Sequence, residues 1–229
     1  MIVEDRVCPN DNILDDHGAD EPNLCAVTTV ATLAPANAAS AAAVLARALH
    51  CDPMMVYLLP DPDRRARLLP RFLGALQRYC LRYGTVMVEQ GLSGVACWLP
   101  PGATEVSVGR MARTGMLSAA APLGIGGLRR LLTLTSAMER DHHRGMREPH
   151  WYLWLLGTEP SQVRRGIGGA LLRPVLARAD AEQVPCYLET HSERNLRFYA
   201  GHGFAPHVEG VAGGVRYWGL RRLPLPAVT

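Results

Sequence analysis

The chain has no block of basic residues, no CxxC pair and few aromatics, and no apolar run approaches the ~20 residues of a membrane-crossing helix. Each absence excludes a class of protein. Lysine and arginine total 24 against 21 acids, a net charge of only +3, so no electrostatic footprint for nucleic acid is present. The six cysteines, Cys8, Cys25, Cys51, Cys80, Cys97 and Cys186, are scattered and show no zinc-ligand spacing with histidine. They read as small buried hydrophobes of a reducing compartment, with neither a disulfide frame nor a metal site. Met1-Ile-Val-Glu-Asp-Arg carries acids and no apolar core, unlike a signal peptide. The expectation is a cytoplasmic protein that meets neither membrane nor nucleic acid. Its partners would be small molecules or proteins, with a homodimer left open. Aromatics are 6% of a chain whose hydrophobic fraction is 48%, so Leu, Val and Ala must build most of the core.

What is there is organised as one domain. Residues 1–22 are polar and lack apolar periodicity, and they read as a poorly ordered extension before a single domain over 23–229. The β-branched run from Cys25 to Leu33 predicts a strand, and Pro35 opens an alanine-rich helix closing near Asp52-Pro53. A second helix runs from Asp61, interrupted at Pro70, to Gly84. Thr85–Glu89 and Val95–Leu99 read as a hairpin, 103–121 as less regular, and Gly127 to Arg144 as a helix. Then come a buried strand in HWYLWLLG, a helix from Arg165 to Gln183, a strand at Cys186–Glu189, a short helix at Glu193–Gly201, and the strand pair Phe204–Glu209 and Val215–Leu220. Alternating β and α in the second half predicts a mixed sheet with helices on its faces.

The informative stretch is WYLWLLGTEPSQVRRGIGGALLRPVLARA, where strand, glycine cluster and helix follow one another. Gly166, Gly168 and Gly169 let backbone lie directly against a ligand. A helix N-terminus adds unpaired N–H groups and partial positive charge, so the turn is a candidate pyrophosphate cradle with Arg164 and Arg165 at its mouth. Other phosphate motifs fit less well. No GK[ST] of a Walker loop occurs, and the dinucleotide fingerprint needs glycine where Leu171 stands. The second cluster, Gly124-Ile-Gly126-Gly127, reads as a loop and helix entry.

The stretch resembles the acetyl-CoA-binding motif of the GNAT superfamily, [Q/R]xxGxG/A, and the wider run through LETHSERNLRFYAGHGF looks like the puromycin N-acetyltransferase-like branch, as do DPMMVYLLPDPDRRARLLPRF and GVACWLPPG. The resemblance covers roughly residues 24–222 and is densest between 149 and 204. It implies an α/β fold with a mixed, twisted sheet of six or seven strands, about four flanking helices, and a splay between strands 4 and 5. It also implies acetyl transfer from acetyl-CoA to an amine, more readily of a small molecule than of a protein, by direct attack in a ternary complex without metal. By the same resemblance Leu156, Gly157 and Thr158 would bond the pantetheine arm, and Arg164, Arg165, Gly166, Ile167, Gly168, Gly169 and Ala170 would hold the pyrophosphate. Asn195 would meet the cofactor arm, and Tyr199 would protonate the departing thiolate. Asn195 and Tyr199 lie four apart, on one face of a helix. The usual Gln-Gly before the first motif glycine is here Val163-Arg164, and the usual Val-Asp-Pro is Thr158-Glu159-Pro160. The alternatives are a non-catalytic acyl-CoA-binding sensor or partner module and a nucleotide-binding regulatory domain.

An amine must lose a proton before it attacks, and Glu189, at the end of its strand, is the candidate base, with His191 behind it. His142 and His143 end a helix, where capping and solvent contact are expected, and His150 opens a strand. Trp151 and Trp154 read as core, with one available to the acceptor pocket, and Tyr57 as core. Trp98 and Pro100-Pro101 are candidates for walling that pocket, whose loops are expected at 50–60 and 100–125. Arg64, Arg65 and Arg67 read as a solvated helix face, and Cys186 as an inert buried thiol.

Overall fold

The computed structural model describes residues 28–226. The polar segment 1–22, Cys8 and Cys25 lie outside the described residues. Seven strands form one sheet: β1 (Val30–Thr32), β2 (Thr85–Glu89), β3 (Gly94–Leu99), β4 (Trp151–Thr158), β5 (Cys186–Thr190), β6 (Ala205–Ala212) and β7 (Val215–Arg222). Their order is β1-β2-β3-β4-β5-β7-β6, and only β4 and β5 run parallel. The hairpin β6–β7 closes through Gly213 and Gly214 at φ 60° and 82°, the paired left-handed geometry of a tight two-residue turn.

Eight α-helices flank the sheet among the described residues: α1 (Ala38–Ala48), α2 (Pro53–Leu58), α3 (Pro62–Tyr83), α4 (Val108–Thr114), α5 (Met116–Ala120), α6 (Gly124–Gly145), α7 (Ile167–Ala181) and α8 (Asn195–Ala200). That is more than the roughly four that the resemblance implies, and three more than the five helices read along the sequence. The additions, α2, α4 and α5, are five to seven residues long, too short to show a periodic apolar stripe. Each nonetheless has a local start signal: Asp52 and Ser107 cap α2 and α4 through the amides of Met54 and Arg110, and left-handed Gly115 separates α4 from α5. The region 103–121 is therefore helical from Val108 onward, interrupted only at Gly115. Pro70 does not interrupt α3, which runs unbroken from its Asp61 cap to Gly84.

Alternate residues of the central strands feed two cores. Val86, Val88, Val95, Cys97 and Leu99 pack under α1 and α3, whereas Met87, Ala96, Trp98, Leu153 and Leu188 pack against α7 and α8. Cys80, Cys97 and Cys186 are buried, and burial pushes the Cys186 thiol up to about 12, consistent with an inert side chain. Arg65 departs from the expected solvated face. It is buried and donates to the carbonyls of Leu59 and Pro60, closing the α2–α3 connection. A buried guanidinium beside carbonyls that end a short helix satisfies orphan acceptors, which a charge count along a helix cannot show.

Candidate active site

β4 and β5 stay together only for Trp151–Cys186, Tyr152–Tyr187 and Leu153–Leu188, then part. From Trp154 onward β4 keeps β3 as its ladder partner but has none on the β5 side, so a row of backbone groups opens there. The β3–β4 register shifts between Cys97 and Trp98, leaving Trp154 opposite no β3 residue. This bulge turns Trp154 and Leu155 to the same face.

The splay opens on a cavity of about 470 Å³. Its apolar wall includes Met54, Met55, Met111, Met116 and Met138, five of the chain's eight methionines, with Phe72 and Trp154. Its polar edge holds Asp52, Glu139, His142, Glu189, Asn195 and Tyr199. The acceptor-side segments expected at 50–60 and 100–125 both contribute, through residues 51–55 and Thr104, Val106, Met111, Met116 and Ala120. Trp98 and Pro100-Pro101 do not line it. Trp98 points to the opposite sheet face and is fully buried against α7, as the alternation of β3 requires.

The glycine-rich turn lies where β4 delivers it. Arg164 and Gly166 are left-handed, at φ 65° and 73°, and α7 starts at Ile167, two residues later than expected. Its N-terminus has no side-chain cap, and the first helical bond runs from the Ala170 amide to the Gly166 carbonyl. The amides of Ile167, Gly168 and Gly169 precede that bond and are the orphan donors of a helix start. A Cβ on Gly166 would meet nothing within 4 Å, so that side is open, whereas one on Gly169 would lie 2.9 Å from the His202 ring. One on Gly157 would lie 2.8 Å from the Ala48 Cβ, so bare glycine lets α1 settle on β4. Glu159, in place of the usual aspartate, takes a bidentate pair from Arg47 of α1 at 2.8–3.1 Å.

Asn195 and Tyr199 share the inner face of α8. Asn195 Nδ2 donates to Thr190 Oγ1 at 3.0 Å, and Tyr199 is buried between Phe198 and Phe204. Burial and the Asp52 charge hold the Tyr199 phenol above its usual value, so it stays protonated at neutral pH. His191 pairs loosely with Asp52 at 3.7 Å, and burial lowers its proton affinity.

Glu189 is almost fully enclosed, its side chain 4% exposed. Tyr152 donates to Oε2, and His142 Nδ1 faces Oε1 at 3.8 Å. Burial pushes the carboxyl up to about 7, with the hydroxyls of Tyr152 and Tyr187 opposing that rise. His142 is the residue that sequence reasoning misplaced. It is buried, stacked on Tyr187 at 4.3 Å and bonded to His150 at 2.8 Å, while only His143 takes the expected exposed position, beside Glu139. Adjacent helix residues point to different sides, and α6 lies across β6 and β7 with His142 turned inward onto Tyr187 of β5. The only available signal was the i, i+4 relation of Met138 to His142, both on the cavity side.

Comparison with known proteins follows this geometry. Residues 122–204 match the family model of the Acetyltransferase (GNAT) family. Over those residues the chain is similar to GNAT acetyltransferases. An uncharacterized N-acetyltransferase of Schizosaccharomyces pombe is 26% identical over 176 residues, 72% of this chain and 69% of that one. In the fold, the chain is similar to a solved structure described as histone acetyltransferase HPA2 and related acetyltransferase from Corynebacterium glutamicum, at TM-score 0.60 and 23% identity, covering 87% of this chain and 98% of that one. It is likewise similar to the polyamine N-acetyltransferase of Drosophila melanogaster, at TM-score 0.56 and 15% identity, covering 85% and 99%. No described helix is long and apolar enough to cross a membrane.

Proposed function

We propose that this acetyltransferase moves an acetyl group from acetyl-CoA to the primary amine of an apolar small molecule. The observation that carries the reading is the single cavity that joins the β4–β5 splay, the buried Glu189 carboxyl and the Asn195–Tyr199 face of α8. The residues present fit the cosubstrate. The uncapped start of α7, open at left-handed Gly166, suits a pyrophosphate, with Arg164 and Arg165 adjacent. The unpaired side of β4 at Leu156, Gly157 and Thr158 suits an amide-bearing arm laid along it as an added strand. The replacement of Gln-Gly by Val163-Arg164 leaves that backbone cradle intact, since Arg164 adopts the left-handed turn itself.

The bound thioester supplies an activated acetyl carbonyl. Glu189 removes a proton from the acceptor ammonium, leaving the nitrogen lone pair for attack. A carboxyl near 7 is matched to that task at neutral pH better than one at its ordinary ~4.3. Attack forms the N–C bond as the C–S bond breaks. Tyr199, held protonated, gives its proton to the departing sulfur and regains one from the acylated nitrogen, which must shed it to become the amide. Asn195 orients the arm from the same helix face. Neither step needs a cysteine. Three carboxylates on the cavity wall favour a cationic acceptor, and the methionine wall favours an apolar body of variable shape. The enclosure by α2 and α4–α6 favours a small molecule over a protein chain, as does the resemblance to the puromycin N-acetyltransferase-like branch. Small-molecule amines are also the acceptors named for the polyamine enzyme above.

Calorimetric titration with acetyl-CoA, beside NADH and ATP, tests the binding half of this reading, and thiol release with a panel of amines tests the chemistry. Selective acetyl-CoA binding with release only when an amine is present is expected. Tyr199→Phe should then lower turnover by at least about tenfold while affinity for the cosubstrate stays. Binding with no turnover on any amine would favour an acyl-CoA sensor, and absence of binding would end the reading.

A further inference from the structure

The Glu189 carboxyl does not stand alone, because a chain of hydrogen bonds reaches it from the surface side of β4. His150 Nδ1 lies 2.8 Å from the Glu148 carbonyl, which can only accept, so that nitrogen carries a proton. A neutral His150 then presents a bare Nε2, and its 2.8 Å contact with His142 Nε2 requires the proton on His142. A neutral His142 protonated there is left with a bare Nδ1. That is the atom facing Glu189 Oε1 at 3.8 Å, from a ring held by stacking on Tyr187. Both rings are neutral at physiological pH. Burial, with the neighbouring His150 and His143, lowers His142 to about 3, and burial lowers His150 as well.

We propose that His142 is a positioning residue for the base: its Nδ1 lone pair, aimed by the Glu148–His150 chain, accepts a hydrogen bond from the Glu189 carboxyl once Glu189 has taken the amine's proton. This deepens the acetyltransferase reading and rests on Glu189 being the base. In the step, the amine N–H bond breaks, a Glu189 O–H bond forms, and the electron pair stays on nitrogen. His142 gains no proton. A carboxylate oxygen facing a lone pair is held off, which accounts for a separation longer than a hydrogen bond, and protonation removes the reason for the gap. The tyrosines act in the opposite sense, since Tyr152 donates to Oε2 and favours the ionised form. Glu189 is thus held between donors on one oxygen and an acceptor at the other.

Other charged and titratable groups bear on the pair without replacing this contact. Glu139 and His143 lie beside His142 on α6, and the Glu139 charge raises the proton affinity of Glu189. From β7, Tyr217 is bonded to Asp141, and Arg221 faces His150.

Nitrogen-15 NMR of the labelled protein at neutral pH reads the tautomers without any substrate. The expected result is His142 protonated at Nε2 and His150 at Nδ1, and a proton on His142 Nδ1 overturns the inference. Two variants then separate aim from mere packing. His142→Asn keeps an acceptor near the Nδ1 position and drops the link to His150, whereas His142→Gln keeps the link and loses the acceptor. Carbon-13 titration of the Glu189 carboxyl should show its midpoint about one pH unit lower in His142→Gln and little moved in His142→Asn. kcat/KM at neutral pH should fall about tenfold further in the Gln variant. Equal midpoints in the two variants, or the greater loss in His142→Asn, overturn the inference. If tautomers and midpoints hold while no amine is acetylated, the proton pair stands and the acetyltransferase reading of the site fails.

Discussion

Two parts of the candidate site are built from different materials. The part formed by the free edge of β4 and the start of α7, whose glycine turn lies outside the cavity lining, is largely backbone: an unpaired strand edge, an uncapped helix start and a left-handed glycine. The cavity itself is walled by side chains, five methionines from α2 and α4–α6 and a polar cluster around Glu189 of β5. Backbone sites need glycines and a fixed element order, so they leave a mark in sequence and tolerate little change. Side-chain sites need only volume and a few polar atoms, which many sequences provide. The difference teaches that the proposed cosubstrate contacts belong to the part a sequence can show, and the proposed acceptor contacts to the part it hides.

The largest effect should come from the boundary between them. Glu189→Gln should cut kcat by about 10²–10⁴ at neutral pH, equivalent to about 3–5 kcal/mol of barrier, with acetyl-CoA affinity unchanged. The same change should stabilise the fold at neutral and higher pH. Glu189 sits near 7 when folded, above its ordinary ~4.3, so the folded state holds a proton that the unfolded chain releases. Stability is therefore lost as pH rises from ~4 to about 7, a loss on the order of 3 kcal/mol that the variant lacks. Thermal melts across that window should show the variant gaining on the parent. A variant that gained nothing would mean Glu189 ionises freely, and the boundary would hold no special group.

Gly94→Ala sharpens the comparison from the backbone side. An added Cβ would come within 2.6 Å of Ile167 Cγ2 and 2.8 Å of Leu171 Cδ1, pushing on the first turn of α7. The cost should be about 1–3 kcal/mol in chemical unfolding, and acetyl-CoA should bind more weakly although β3 itself supplies none of the proposed phosphate contacts. Gly166→Ala should cost about 1–2 kcal/mol for a different reason, since space is open but φ is 73°. If Gly94→Ala destabilised the fold and left acetyl-CoA affinity intact, the start of α7 would not be the cradle.

The same division explains what was legible. The seven strands and the shared face of Asn195 and Tyr199 follow from glycine punctuation, β-branched runs and helical spacing, which are local, whereas the splay was implied by the resemblance alone. His142 and Arg65 were misjudged because each is polar in sequence and buried in space, and the partners that permit this are remote or hidden in turn carbonyls. For His142 they are His150, just before β4, and Tyr187 and Glu189 on β5, and for Arg65 the carbonyls of Leu59 and Pro60. The short helices α2, α4 and α5 were legible only at their caps. The methionine wall is assembled from four helices far apart in the chain, and no spacing rule connects Met54 to Met111 or Met138.

The smallest expected effect tests that wall. Met111→Ala shortens one side chain lining the cavity on α4 without touching β4, α7 or the polar cluster. Each methylene of contact removed from an apolar acceptor should cost ~0.8 kcal/mol, about fourfold in kcat/KM. The loss should appear in KM for bulky apolar amines and be absent for short ones, while the acetyl-CoA KM and the melting temperature move little. Methionine adapts to irregular partners, so refilling the position with leucine should restore some amines and not others. A uniform loss across all amines would instead show that Met111 supports the fold of α4, and the acceptor would have to be sought elsewhere on the cavity wall.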